Sequence, residues 1–272
     1  PLVHALGQAG LGERAGGAEG EGVAVVGDDF TEEDASVFQG RKINTEGLQR
    51  IPGEKTFFWS GEYGFDLNVA KTRDTQLNVF ADFKPQLNER QRSADVLFLA
   101  NIDPELQLDV MRQVERPKLV ACDTMNFWIS GTRPELLELL KRVNLLMVND
   151  SEARELSGEH NLLKAARWIQ RQGPEMVVVK KGEHGAMLVT KDFVFVAPGY
   201  PLEEVFDPTG AGDAFAGGFV SGLAGFGTGL VALGIWLHAV DPQTAAALAI
   251  ACSVVSQLQT IRLIWHAIER TR

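Results

Sequence analysis

Cysteine and tyrosine are scarce in this chain, with two of each among 272 residues, and basic charge is outweighed, 26 Lys and Arg against 36 Asp and Glu. Cys122 closes one apolar run and Cys252 lies inside another. Two such residues cannot build a disulfide framework, so they read as buried thiols of a reducing compartment. A formal net charge of −10 leaves no broad basic face for nucleic-acid phosphates or anionic lipid. That excludes nucleic acid as the main partner and points to a small molecule. No G-x-x-x-x-G-K-[ST] string occurs, and Phe215 stands where a dinucleotide fingerprint needs its third glycine, which disfavours a P-loop ATPase and a Rossmann dehydrogenase. No secretory-type run of basic, then apolar, then small residues follows Pro1, and the expectation is a cytoplasmic protein.

Long stretches without charge are the one feature that pulls toward a membrane. Residues 214–240 and 242–261 lack Asp, Glu, Lys and Arg, and each is long enough to span a bilayer. The first carries Gly217, Gly218, Gly222, Gly225, Gly227, Gly229 and Gly234, and the second Gln243, Ser253, Ser256, Gln257 and Gln259. This polarity and glycine content favours buried helices, with a membrane-associated protein as a further alternative.

What is present fits a sizeable α/β core: 45% of residues are hydrophobic and 23% charged. Residues 1–22 hold seven glycines with little periodicity and form an atypical N-terminal segment to which no element is assigned. The main domain runs over 22–272. It opens on a strand in GVAVVGDD and a helix from Glu32 to Arg41, with Thr31 as N-cap. Residues 55–83 are aromatic and partly alternating, the texture of a small antiparallel β appendage. Strands at 95–101, 118–123, 144–149 and in MVVVKKG then alternate with helices, and GAMLVTKDFVFVAPG suits a hairpin at one sheet edge. The expected architecture is a three-layer α/β/α, doubly wound, mostly parallel sheet, with a helix starting near Gly212.

In such a sheet ligands bind beyond the carboxyl ends of the strands. The polar residues there are Asn101 and Asp103, Asp123 and Asn126, Asn149 and Glu152, and Lys181 with Glu183. Any one of them could instead cap a helix or close a turn. The segment DPTGAGDAFAGG, from Asp207, is the most informative. Gly210 and Gly212 permit a tight turn whose amides converge on an anion, and the following helix adds the positive end of its dipole. An acid at the mouth of that cradle makes best chemical sense as a base taking the proton of an attacking hydroxyl, which assigns that part to Asp213. The alternative is that Asp213 merely complements the helix dipole.

The string from Asp207 to Phe219 closely resembles the C-terminal signature of the ribokinase-like carbohydrate kinases, the PfkB family. VNDSEARELSG resembles that family's Asn-x-x-Glu motif, KKGEHGAMLV its nucleotide-side Gly-x-x-Gly turn and CDTMNFW its Asp-x-x-Asn strand end, so the resemblance covers about residues 22–220. It implies a ribokinase-like fold and transfer of the ATP γ-phosphoryl, with Mg²⁺, to a hydroxyl of a sugar or sugar-like molecule. It further implies Asp213 as catalytic base and substrate contact, with the amides of Gly210, Ala211 and Gly212 as anion hole. Asn149 and Glu152 would organise Mg²⁺ and the phosphates, Glu152 through water, and Lys181, Gly182, Glu183 and Gly185 would lie along the nucleotide. Asp207 and Thr209 match positions that in some members form a monovalent-cation (K⁺) site, and Asp123 and Asn126 are candidate acceptor contacts. Segment 55–83 resembles the family's β lid, which can also serve as a homodimer interface. The chain departs from the pattern in lacking the family's N-terminal acceptor strand with its Asp and the Gly-Gly segment with its Asn. The alternatives are therefore a nucleoside kinase and a catalytically impaired nucleotide-binding protein.

Overall fold

Runs of β-branched and aliphatic residues that lose water on both sides become interior strands, and the polar residues ending each run start the next helix. The computed structural model describes residues 20–39, 43–65, 70–201, 203–205, 208 and 210–223. The chain divides into two compact units, 1–216 and 217–272. In the first unit, β1 (Gly20–Val26), α1 (Glu32–Gln39) and β2 (Ile43–Arg50) form a β-α-β unit whose strands pair in parallel. Thr31 caps α1 as expected: its Oγ1 accepts from the Asp34 amide, and Asp34 Oδ2 accepts from the Thr31 amide at 2.8 Å. The polar run INTEGLQR gives little sign of a strand, and β2 is fixed by pairing with β1, a tertiary effect.

The aromatic segment folds as expected into an antiparallel hairpin, β3 (Phe58–Tyr63) with β4 (Ala70–Gln76), in a sheet of its own. Phe80, in the short 3-10 turn that follows, packs edge-on to Phe57 and Phe83 and partly buries against the core, whereas Phe58 and Phe65 stay exposed. The segment therefore combines an anchored base with an open hairpin.

After the short helix α2 (Glu89–Arg92) the alternating pattern is realised in full. β5 (Val96–Leu99), β6 (Leu119–Asp123), β7 (Leu145–Asn149) and β8 (Met176–Lys180) run parallel; β9 (Ala186–Val189) and β10 (Val194–Ala197) add an antiparallel edge. The order is β10-β9-β8-β7-β6-β5. The crossovers are α3 (Pro104–Gln113), α4 (Asn126–Gly131) with α5 (Arg133–Leu140), and α6 (Asp150–Ser157) with α7 (Leu162–Gln170). Leu97, Leu99, Cys122, Leu146, Val148, Val177 and Val179 point into one core with Leu136, Leu139, Ala165 and Ile169 of these helices. The alternate residues Phe98, Ala121, Leu145, Met147 and Val178 are equally withdrawn from water, so both faces of the sheet are covered, as a three-layer arrangement requires.

α8 (Ala211–Leu223) begins within one residue of the expected position. Among the described residues no helix is long and apolar enough to cross a membrane. Residues 1–19, Asp207, Thr209 and everything after Leu223, including Cys252 and most of both uncharged stretches, lie outside the described residues.

The parallel strands make the site's platform, and β7 is its centre. Truncating the fully buried Leu146 to alanine should cost about 2–5 kcal/mol, because the surrounding layers cannot collapse onto the cavity. Chemical denaturation should show a lower midpoint with an unchanged slope.

Candidate active site

The carboxyl end of each parallel strand delivers one polar group, and helix capping decides which of them remain available for chemistry. At the end of β5, Asp103 accepts from the Glu105 amide at 2.8 Å and caps α3, while exposed Asn101 accepts from Trp128 Nε1 at 3.1 Å. Both are structural. Gln107 of α3, almost fully buried, donates to the carbonyls of Ala100 (2.7 Å) and Asp123 (3.1 Å) and so ties the ends of β5 and β6 together.

At the end of β7 the sequence pattern Asn-x-x-Glu is a capping box. Asn149 Oδ1 accepts from the Glu152 amide at 2.8 Å and Glu152 Oε2 accepts from the Asn149 amide at 2.7 Å, satisfying two helix-start donors reciprocally. The box holds the Glu152 carboxyl in a buried position, and burial raises it to about 7, against the opposing pull of Lys180 and with a further push from Asp123.

Asp123, the last residue of β6, is buried, and its Oδ1 accepts from the Thr124 amide at 2.9 Å. Facing it from the end of β8 is Lys180, whose Nζ lies 3.0 and 3.2 Å from the two Asp123 oxygens. Burial lowers the Lys180 ammonium, but Asp123, Glu152 and Asp213 overcome that and hold it above its ordinary value. Burial and the Asp213 charge raise Asp123 while Lys180 opposes them. A methyl group on Gly212 would stand 3.5 Å from Lys180 Nζ, so the first turn of α8 lies against the ammonium. Three carboxylates and one lysine thus meet beside a helix N-terminus.

Asp213 and Gly212 are therefore brought to the strand ends as the motif implies. Gly210 takes φ +80°, the left-handed turn that a glycine allows at entry to α8. The amides of the Gly210, Ala211 and Gly212 trio differ in their partners. The Ala211 amide already donates to the Pro208 carbonyl at 3.1 Å, whereas those of Gly210 and Gly212 donate to no described residue. Beside these groups it is Lys180, one residue before Lys181, that pairs with Asp123, while Lys181 begins the turn that follows the strand. Lys180 ends the apolar run MVVVK, in which Val177, Val178 and Val179 are buried. Asn126 is exposed at the start of α4, and Asp123 pairs with Lys180.

The turn Gly182–Gly185 is built as the Gly-x-x-Gly pattern requires. Gly185 adopts φ +86°, and a Cβ there would lie 2.0 Å from the Ala197 carbonyl. Glu183 and His184 project into solvent from this turn.

A pH effect follows from Glu152. Between its unfolded value of 4.5 and its folded value of about 7 the folded chain keeps a proton that the unfolded chain has released, so stability falls as pH rises through that window. Glu152→Gln keeps an acceptor for the Asn149 amide but no longer titrates. Its stability decline between pH 4.5 and 7 should be smaller by on the order of 3 kcal/mol, measured by denaturant midpoints across pH; an unchanged decline would sink the assignment.

The profile of the pfkB family carbohydrate kinases matches residues 8–261. A cytidine kinase of Thermococcus kodakarensis is 31% identical over 206 residues, 74% of this chain and 73% of that kinase. A nucleoside kinase of Methanocaldococcus jannaschii is 29% identical over 136 residues, 50% of this chain and 44% of its own length. Among solved structures, the E. coli protein designated Ribokinase II, in complex with ATP and Mg²⁺, shares the fold with a TM-score of 0.63 at 20% identity, over 87% of this chain and 76% of that one. The chain belongs to the pfkB family of carbohydrate kinases, ATP-dependent phosphotransferases that act on hydroxyls of sugars and sugar-like molecules.

Proposed function

We propose that this chain transfers the γ-phosphoryl of ATP to a hydroxyl of a nucleoside, with Asp213 as the base. The observation that carries the reading is the convergence of Asp213 and Gly212 with Glu152, Asp123 and Lys180 at the carboxyl edge of the sheet. Asp213 accepts the hydroxyl proton as the oxygen attacks phosphorus, and the Gly210 and Gly212 amides face the charge that spreads over the phosphoryl oxygens. A nucleoside acceptor is favoured over a free sugar because the two relatives described above are a cytidine kinase and a nucleoside kinase. The hairpin of β3 and β4 is assigned to covering the acceptor, which limits wasteful hydrolysis, and its exposed Phe58 and Phe65 suit a homodimer contact.

Mg²⁺ fits the site as an ion carried in by the nucleotide. Among the described residues no cluster of three or more His, Cys, Asp or Glu could hold a metal alone. Asn149 Oδ1 and Glu152 Oε2 are engaged in the capping box, which leaves Glu152 Oε1 to meet the ion through water. When bound, the ion neutralises phosphate charge. The Gly182–Gly185 turn is assigned to the nucleotide side, and a K⁺ site at Asp207 and Thr209 lies outside the described residues.

The test is a phosphorylation assay with Mg²⁺ and ATP across nucleosides and sugars. The full chain should phosphorylate at least one nucleoside, and Asp213→Asn should lose about 10²- to 10⁴-fold in kcat with an unchanged melting temperature. Near-normal turnover by Asp213→Asn removes the base assignment; ATP binding without transfer to any acceptor favours the nucleotide-binding alternative.

A further inference from the structure

Three carboxylates at a site for a polyanion present a physical problem. Asp123 and Glu152 are buried, Asp213 adds its charge, and the incoming phosphates carry several more negative charges. The Gly210 and Gly212 amides contribute only partial charges, and Mg²⁺ carried in with the nucleotide would neutralise only part of that load. Among the described residues, Lys180 is the cation whose field reaches both Asp123 and Glu152. Its side chain is 17% exposed against 4% for Asp123. It also lies beside Gly212, whose amide donates to no described residue.

We propose that Lys180 is a catalytic residue that contacts the γ-phosphoryl of ATP, held in place by Asp123 as a positioning residue. This rests on the ATP-dependent reading of the site. Asp123 accepts from the ammonium through both oxygens, which leaves one of the ammonium's three N–H donors, and the Nζ lies 3.5 Å from where a Cβ on Gly212 would stand. That donor reaches a phosphoryl oxygen beside the Gly212 amide. The lysine stays protonated throughout, because the surrounding carboxylates hold it in the charged form. Bonds broken and formed are those of the phosphoryl transfer alone, and Lys180 gains and loses no proton. Lys181, one residue on, lies outside the strand, at the start of the turn Gly182–His184.

A structural salt bridge and a phosphate-binding lysine predict different results, and a paired replacement separates them. Lys180→Met alone would strand Asp123 as an unpaired buried charge and could unfold the chain. The double variant Lys180→Met/Asp123→Asn removes both charges at similar volume and should keep its melting temperature. Titrations of MgATP and of MgADP on the full-length chain, without acceptor, are then compared. The double variant should lose at least about tenfold in affinity for ATP while ADP affinity changes less than about threefold, since a charge-assisted hydrogen bond to the γ-phosphoryl is absent in ADP. Turnover should fall at least about 10²-fold, chiefly in kcat. Lys180→Arg should restore part of the ATP preference, because it returns a cation to the same position. Equal losses for ATP and ADP, or no loss for either, overturn the proposal while leaving the Asp213 chemistry standing. ATP binding without any phosphoryl transfer by the unsubstituted chain overturns the kinase reading, and the ATP-to-ADP comparison still decides the role of Lys180. A chain that binds no ATP overturns both.

Discussion

The pairing of Lys180 with Asp123 is the contact that makes the carboxyl edge of this sheet possible. An ionised carboxylate withdrawn from water costs far more than a small domain can tolerate unless an opposite charge or hydrogen bonds meet it. Asp123 has both, the ammonium at 3.0 and 3.2 Å and the Thr124 amide at 2.9 Å. Without the ammonium, Glu152 and Asp213 would add their repulsion to an uncompensated charge. With it, three acids and a helix N-terminus can share one corner of the fold.

The same corner shows how structural and chemical demands are met by a single residue type. Asn149 and Glu152 spend one oxygen each on the start of α6, which fixes their positions to the end of β7. That rigidity is what phosphoryl transfer needs, since catalysis there is mostly positioning and electrostatics. Gln107 acts in the same sense one layer out, holding the ends of β5 and β6 at a constant separation so that Asp123 stays aligned with Lys180. The strand-end polar residues thus divide into those that finish the scaffold, such as Asp103 and Asn101, and those whose capping or pairing leaves a charged group facing the ligand side.

Much of this was legible in the residues. The four apolar runs, the capping signals after them and the glycines before Asp213 each carry a local physical meaning, and the strands and helices followed from it. β2 was not legible, because INTEGLQR becomes a strand through its neighbour β1 and not through its own pattern. The pairing of Lys180 with Asp123 was not legible, because it depends on the parallel order and register that set β8 beside β7 and β7 beside β6. The engaged Ala211 amide likewise depends on how the chain folds back at Pro208.

The sequence by itself determined the alternation of strands and helices, the capping box at Asn149 and the glycine-rich entry to α8, since these depend on residues a few positions apart. The tertiary structure decided which charges meet. Asp123, Glu152, Lys180 and Asp213 are separated by up to 90 positions in the chain, and strand order and register bring them to one edge. Their electrostatics therefore belong to the sheet and not to any one of its segments.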